Sequence, residues 1–213
     1  MPMKRRSTPK PADQYHHGDL RRSLIDAALE LIEHEGLEGL SLRAVARRAN
    51  VSHTAPYHHF ADRAALMASL AEEGFIALGG FIERRISGIA EPRLRLIEAG
   101  IAYVLFASKH PAHFRVMFSP ELAGNLVSAA PSSLRDAAGA AFDRLVASIE
   151  RCQEEGSARD GDPREYARAA WSLMHGLAML LLDGHLRRKD QNNGSIEAIA
   201  RRVTETLWMG LSI

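Results

Sequence analysis

The sequence predicts an all-α chain, with a small N-terminal unit of short helices followed by a larger helical body. Three observations carry this. Apolar residues recur at intervals of three and four along most segments, strand-like alternation is scarce, and a low aromatic share of 6% goes with many Ala, Leu, Arg and Glu, which are strong helix formers. At 213 residues and 46% hydrophobic content, the chain is long enough to bury a real core.

Residues 1–16 carry Lys4, Arg5, Arg6 and Lys10 interleaved with Pro9 and Pro11, have nothing apolar to bury, and read as a flexible basic arm. They lack the apolar stretch of a secretory signal. The first helix is expected from Asp19 as its cap, with Leu20, Leu24, Ala27, Ala28, Leu31 and Ile32 on one face, stopping at Gly36. Ser41 caps a second helix that carries Leu42, Val45, Ala46 and Ala49 and stops at Asn50, a residue that tolerates positive φ. The third begins after Ser52 or Thr54 and ends near Phe60; it must be very short, because Pro56 is tolerable only in a first turn. Asp62 caps the fourth, with Leu66, Met67, Leu70 and Phe75 on one face. These four helices make a unit over residues 17–82.

The body, residues 83–213, has longer periods. Pro92 suits a first turn, Leu94, Ile97, Ile101 and Leu105 form the next stripe, and the dipeptide HP ends it before a short segment around Phe114–Phe118. Residues Ser119 to Ser133 read as a long connection. A stripe of Leu134, Ala138, Phe142, Leu145, Ile149 and Cys152 comes next, and DPRE at Asp162–Glu165 starts a largely apolar helix reaching about Leu186. After the polar loop RRKDQNNG, Ser195 caps a last helix with Ile196, Ile199, Val203 and Leu207. The longest apolar runs, such as Ile101 to Ala107, are too short to span a bilayer, so no membrane partner is expected and the cytoplasm is the expected location. Cys152 is the single cysteine, which excludes an intramolecular disulfide; on its apolar stripe it reads as a buried, inert thiol.

The formal charge of +1 gives no overall basic field, so any surface for nucleic acid must be local. One stretch supplies it. ANVSHTAPYHHF, Ala49 to Phe60, places a tight turn between two short helices and comes after Arg43, Arg47 and Arg48, an arrangement in which the second helix of a helix-turn-helix enters the major groove. Val51 and Phe60 point into the small core, leaving His53, Thr54, Tyr57, His58 and His59 to face outwards. Alone, the arginines fit an ordinary solvated face and Tyr57 a core aromatic with its hydroxyl at the rim; the neighbouring turn directs them to phosphates. Zinc is the rival for the histidines, but adjacent His58 and His59 leave a helix about 100° apart with no third ligand at matching spacing. His110 and His113 straddle a helix break and suit packing. The acidic Glu30, Glu33 and Glu35 are expected away from this segment.

SLRAVARRANVSHTAPYHHFADRAAL closely resembles the DNA-binding signature of TetR-type transcriptional repressors, and YHHGDLRRSLIDAALELIEHEG resembles that family's first helix, so the likeness covers about Tyr15 to Leu70. Tyr57, His59, Phe60 and Arg63 stand at the family's Tyr-x-His-Phe and following basic positions. Asn50 replaces the usual glycine, Arg63 the usual lysine and Thr54 a frequent glycine. The resemblance implies DNA contacts from Ser41, Arg43, Ser52, His53, Thr54, Ala55, Tyr57, His58, His59 and Arg63, with His53 and Thr54 nearest the base edges. Trp171, His175 and Gly176 resemble the Trp-His-Gly signature of one C-terminal domain type within the family, which implies an effector-binding body and a homodimer formed through the last two helices on a near-palindromic operator. The expected effector is small and hydrophobic or aromatic, lodged among Tyr103, Phe106, Phe114, Met117, Phe118, Trp171, Met174 and His175. No metal or other cofactor is expected. No nucleophile–base order, phosphate loop or paired carboxylates point to an enzyme. The competing reading is a ligand- or metal-binding helical sensor that does not act through DNA.

Overall fold

The computed structural model describes residues 17–122, 130–186 and 195–212. The expected basic arm, residues 123–129 of the connection after Ser119 and the polar loop before Ser195 lie outside the described residues. The α-helices, in chain order, are α1 (His17–Glu35), α2 (Leu42–Arg48), α3 (Arg63–Ile86), α4 (Pro92–Lys109), α5 (Pro111–Met117), α6 (Ser132–Glu154), α7 (Pro163–Leu182) and α8 (Ile196–Leu211). Two 3-10 turns, Leu37–Gly39 and Ala55–His58, complete the first unit.

Local chemistry fixes most boundaries. The Ser41 hydroxyl accepts from Ala44 N at 3.1 Å, Asp62 Oδ1 from Ala65 N at 2.8 Å, Asp162 Oδ1 from Arg164 N at 2.8 Å and the Ser195 hydroxyl from Ala198 N at 3.2 Å. Each such cap stabilises its helix by about 1 kcal/mol. Gly36 ends α1 at φ 76° and Asn50 ends α2 at φ 54°, the only positive φ of a non-glycine among the described residues. Asp19 is not a cap: α1 begins earlier, at His17, because the apolar face starting at Leu20 already supports the preceding turn. The apolar α7 stops at Leu182 rather than near Leu186, where Asp183 and Gly184 (φ 79°) turn the chain. Leu94, expected on the buried stripe of α4, is exposed, and Leu96, Ile97, Ile101 and Val104 are buried instead, since α4 is gripped from two sides.

Helix α3 organises the rest. It runs unbroken across the boundary expected at residue 82, a length of roughly 36 Å for 24 residues. Its first half, with Leu66, Met67 and Leu70, closes the small core of Leu24, Ala28, Leu42, Val45 and Phe60; its second half packs on α4, α5 and α6. The buried cluster is therefore continuous from Leu24 through Phe114 to Leu134. By length and composition α3 is also apolar enough to cross a membrane, contrary to the shorter runs read from the sequence; its Leu66, Leu70, Phe75 and Leu78 are buried within this chain. Close approach to α5 depends on Gly74, where a Cβ would stand 2.6 Å from Met117 Sδ.

At the far end of α3 an ionic node joins three helices. The buried carboxylate of Glu98, on α4, accepts from Arg85 Nε of α3 at 2.6 Å and from Arg201 Nη2 of α8 at 2.7 Å, and Arg85 also reaches Glu197. Burial pushes the Glu98 carboxyl up, but the two guanidinium hydrogen bonds together outweigh it and hold it below the ordinary value. Arg95 closes the carboxyl end of α3 by donating to Ile86 O and Ile89 O. In the last turns of the chain, Arg159 N donates to Leu211 O and Arg159 Nε to Ser212 O, pinning the end of α8 to the turn after α6. Cys152 is fully buried, and burial raises its thiol.

Because Glu98 is held below its ordinary value, its contribution is present at neutral pH and is lost as pH falls through the carboxylate range. Glu98→Gln should lower stability at pH 7 by about 1–3 kcal/mol. In urea unfolding at pH 7, 5 and 3.5, the gap between wild type and variant should close as the native carboxyl takes up its proton.

Asn50→Val should cost about 1–2 kcal/mol, and Asn50→Gly should change stability by less than about 0.5 kcal/mol, because only the branched residue resists the left-handed region. Chemical unfolding of the two variants beside the wild type measures both.

Candidate functional site

The first surface is built on α2 and the turn after it. Only seven residues long, α2 cannot hold itself, and it stands because Leu42, Ala44, Val45 and Ala46 are buried against α1. Asn50 N donates to Arg47 O and Val51 N to Ala46 O, which reverses the chain. The next segment, Ala55–His58, is a 3-10 turn and not an α-helix; Pro56 lies in its first turn and is buried, and both His59 N and Phe60 N donate to Pro56 O. Buried Pro56 and Phe60 anchor the segment, and Arg21 of α1 stacks its guanidinium 5.6 Å from the Phe60 ring centre.

Outside that anchor, Ser52, His53, Thr54, Tyr57 and His58 are exposed, with Tyr57 at 52%. Tyr57 is thus a large aromatic left in water on a turn with a buried proline behind it. The Ser52 and Thr54 hydroxyls lie 3.1 Å apart. Ala55 is half-buried. His59 departs from its expected outward position: it is partly enclosed beside Phe60, and its Nε2 is buried without a hydrogen-bond partner among the described residues.

The cations divide into two groups. Arg43 and Arg47 are exposed on α2 and make no ion pair or hydrogen bond through their side chains among the described residues. Arg48 is paired with Glu30 of α1 at 2.8 Å, so one acidic residue expected elsewhere in fact sits at the edge of this surface. Arg63 is turned inwards. Its Nε donates to Leu40 O and its Nη2 to Leu37 O, both at 2.8 Å, and its Nη1 pairs with Glu121, so it fastens the start of α3 to the loop before α2. Ser41 uses its hydroxyl as the α2 cap while remaining exposed.

The second site is a cavity of about 650 Å³ between α3, α4, α6, α7 and α8. Six of the eight residues expected to line it do so: Tyr103, Met117, Phe118, Trp171, Met174 and His175. Phe106 faces Phe81 and His110 instead, and Phe114 stacks behind His175 at 5.5 Å. Sequence reading missed Phe75, Leu78, Ile82, Phe142 and Leu145, which line the cavity although their periodicity reads only as core. Arg144 was missed too; no local pattern marks a charged residue that reaches another helix.

Within the cavity wall, Trp171 Nε1 donates to the Tyr103 hydroxyl at 3.2 Å, and that hydroxyl shares a hydrogen bond of 2.9 Å with His175 Nδ1. Burial holds His175 below its ordinary value and pushes the Tyr103 phenol up, so both are neutral at pH 7. His110 and His113, with ring centres 6.2 Å apart, are likewise lowered chiefly by burial, and among the described residues no group of three metal-ligating side chains comes together.

Comparison with known proteins matches residues 24–70 to the bacterial regulatory proteins of the tetR family, and residues 96–207 to the tetracyclin repressor-like C-terminal domain. The chain belongs to the TetR family. It is a transcriptional regulator with a helix-turn-helix DNA-binding unit. Among curated relatives, the HTH-type regulator YobS of Bacillus subtilis is 24% identical over 178 residues, spanning 81% of this chain and 84% of its own. A protein of unknown function from Rhodococcus sp. RHA1 is 35% identical, covers 95% of this chain and 100% of its own, and superposes with a TM-score of 0.79. The TetR family regulator PfmR of Thermus thermophilus shares the fold at a TM-score of 0.65 with 21% identity, over 89% of this chain and 99% of its own.

In this TetR family member an apolar stripe remains open on the outer face of α7, and Met209 stands exposed on α8 beside Arg202, Glu205 and Thr206. Leu173 is 42% exposed, Leu180 44% and Met209 67%, and Ala169 and Gly176 continue the α7 stripe. Among the described residues, no atom outside the local helix lies within 4 Å of where a Cβ would stand on Gly176 or Gly210, so both helix faces are open at these points.

Proposed function

We propose that the chain is a homodimeric, cytoplasmic repressor that binds a near-palindromic operator and is released by a small hydrophobic or aromatic effector. One observation carries the reading. The same helix, α3, closes the small core in which Phe60 anchors the exposed Ser52–His58 turn and forms a wall of the cavity through Phe75, Leu78 and Ile82. A ligand that fits the cavity in one placement of α3 better than in the other shifts the population of DNA-competent dimers; equal fit would shift nothing.

In this reading, the exposed turn enters the major groove. His53 and Thr54 face base edges, while Ser41, Arg43, Ser52, Tyr57 and His58 contact phosphates. Ala55 and His59 lie at the edge of the contact. Arg63 serves it by position, holding α3 to the backbone at Leu37 and Leu40. The open apolar stripe on α7, with Met209 on α8, supplies the partner contact, burying Leu173, Leu180 and Met209 in a four-helix interface that sets the two turns about 34–36 Å apart, or a multiple of it.

Selection of bound duplexes from a random pool should return a two-fold-related pair of half-sites. Against that sequence, Arg43→Ala and Arg47→Ala should weaken binding uniformly and each flatten the log K against log salt slope by about one unit, whereas Thr54→Ala should change the base preference at one position per half-site. Leu180→Glu should sediment as a monomer with unchanged helicity and lose tight operator binding. A dimer that survives this change with full affinity rules out the α7–α8 interface.

A further inference from the structure

The cavity mouth holds a cation that makes no ion pair among the described residues. Arg144 reaches from α6 across to α3, and its guanidinium lies over Gly79: a Cβ there would stand 2.6 Å from Nη1. Any other residue at 79 would displace it, so glycine is what lets the cation lodge at the lining. Among the described residues, the Arg144 side chain has no ion pair or hydrogen-bond partner. Arg144 is exposed at the rim, whereas the more enclosed Arg63, Arg85 and Arg95 are each fastened to carboxylates or backbone carbonyls.

The rest of the lining narrows what would answer it. The charged residues around the cavity are Glu83, Arg95, Arg144 and Arg151. Arg95 is spent on Ile86 O and Ile89 O, which leaves Arg144 and Arg151, two turns apart on α6, against Glu83. The surplus is one positive charge, suited to a monoanion; a dianionic head would meet Glu83 without a second cation to spare. The other polar groups, Tyr103, Ser148, His175 and Thr204, are neutral, and the walls of Phe75, Leu78, Ile82, Phe142 and Leu145 accept an apolar body. A guanidinium fork matches a carboxylate in two-point geometry.

We infer that the effector is an amphipathic carboxylate, its apolar chain or ring filling the cavity and its carboxylate paired with Arg144 over Gly79. This rests on the effector reading of the cavity. The test is isothermal titration at pH 7.4 of the full-length protein with decanoate, 1-decanol, 4-phenylbutanoate, 4-phenylbutanol and decyl phosphate. Wild type should bind each carboxylate about tenfold more tightly than its alcohol. In Arg144→Gln that ratio should fall close to one, with alcohol binding changed by less than about twofold. Gly79→Ala should lower the ratio as well, by pushing the guanidinium off its seat. Alcohols that bind wild type as tightly as the carboxylates overturn the assignment and leave the cavity as a site for neutral effectors. So does an Arg144→Gln variant that loses both ligand types equally, or a decyl phosphate affinity tenfold above that of decanoate. No binding by any of the five compounds overturns the effector reading together with it.

Discussion

The continuity of α3 is the constraint on which the other features depend. A helix that ended near residue 82 would leave the small unit free to move on a linker; an unbroken helix makes it the end of a lever. Asp62 caps one end and Arg63 binds it to Leu37 and Leu40, while Arg85, Glu98 and Arg201 hold the other against α4 and α8. Between these fixed points lie Phe75, Leu78, Gly79 and Ile82, the face that α3 gives to the cavity. One continuous hydrogen-bonded helix therefore joins that face to both fixed points.

The two ends are held by different physics, which decides which one yields. The Glu98 node is buried and doubly hydrogen-bonded, and removing one partner from such a group costs several times what an exposed pair contributes. The start of α3 is held by two backbone acceptors and an exposed glutamate, and the surface near it by the exposed Arg48–Glu30 pair. The DNA-facing end is therefore the softer attachment. The small unit nonetheless shares one apolar cluster with the body, so its motion is a displacement of a packed element, not a free swing.

Much of the DNA-facing unit was legible in the residues. Ser41, Asn50, Pro56 and Asp62 are punctuation whose meaning is local: a hydroxyl cap, a left-handed turn, a ring that fixes φ, a carboxylate cap. Each acts within four residues, so one sequence suffices to read it. Cavity residues were harder. Phe142 and Leu145 have the spacing of any core stripe, and Phe106 and Phe114 looked as suitable for a pocket as Tyr103 did; what separates them is the rotation of each helix about its axis. The fates of the cations were hidden for the same reason. Arg43, Arg48 and Arg63 look alike in sequence, yet among the described residues the first stands in solvent without a partner, the second meets Glu30 and the third is folded onto carbonyls more than twenty residues away.

By itself, the sequence determined the helical class, the tight turn at Asn50, the first-turn place of Pro56 and the buried Phe60, the caps at Ser41, Asp62, Asp162 and Ser195, and the family likeness carried by Tyr57 to Arg63. These come from periodicity and short-range hydrogen bonding, which a linear pattern records. Only the tertiary structure decided that α3 would serve two sites, that Glu98 would gather Arg85 and Arg201, and that Gly79 would make room for Arg144. Those are meetings between residues separated by 13 to 103 positions, fixed by how helices pack against one another, and no spacing along the chain encodes them.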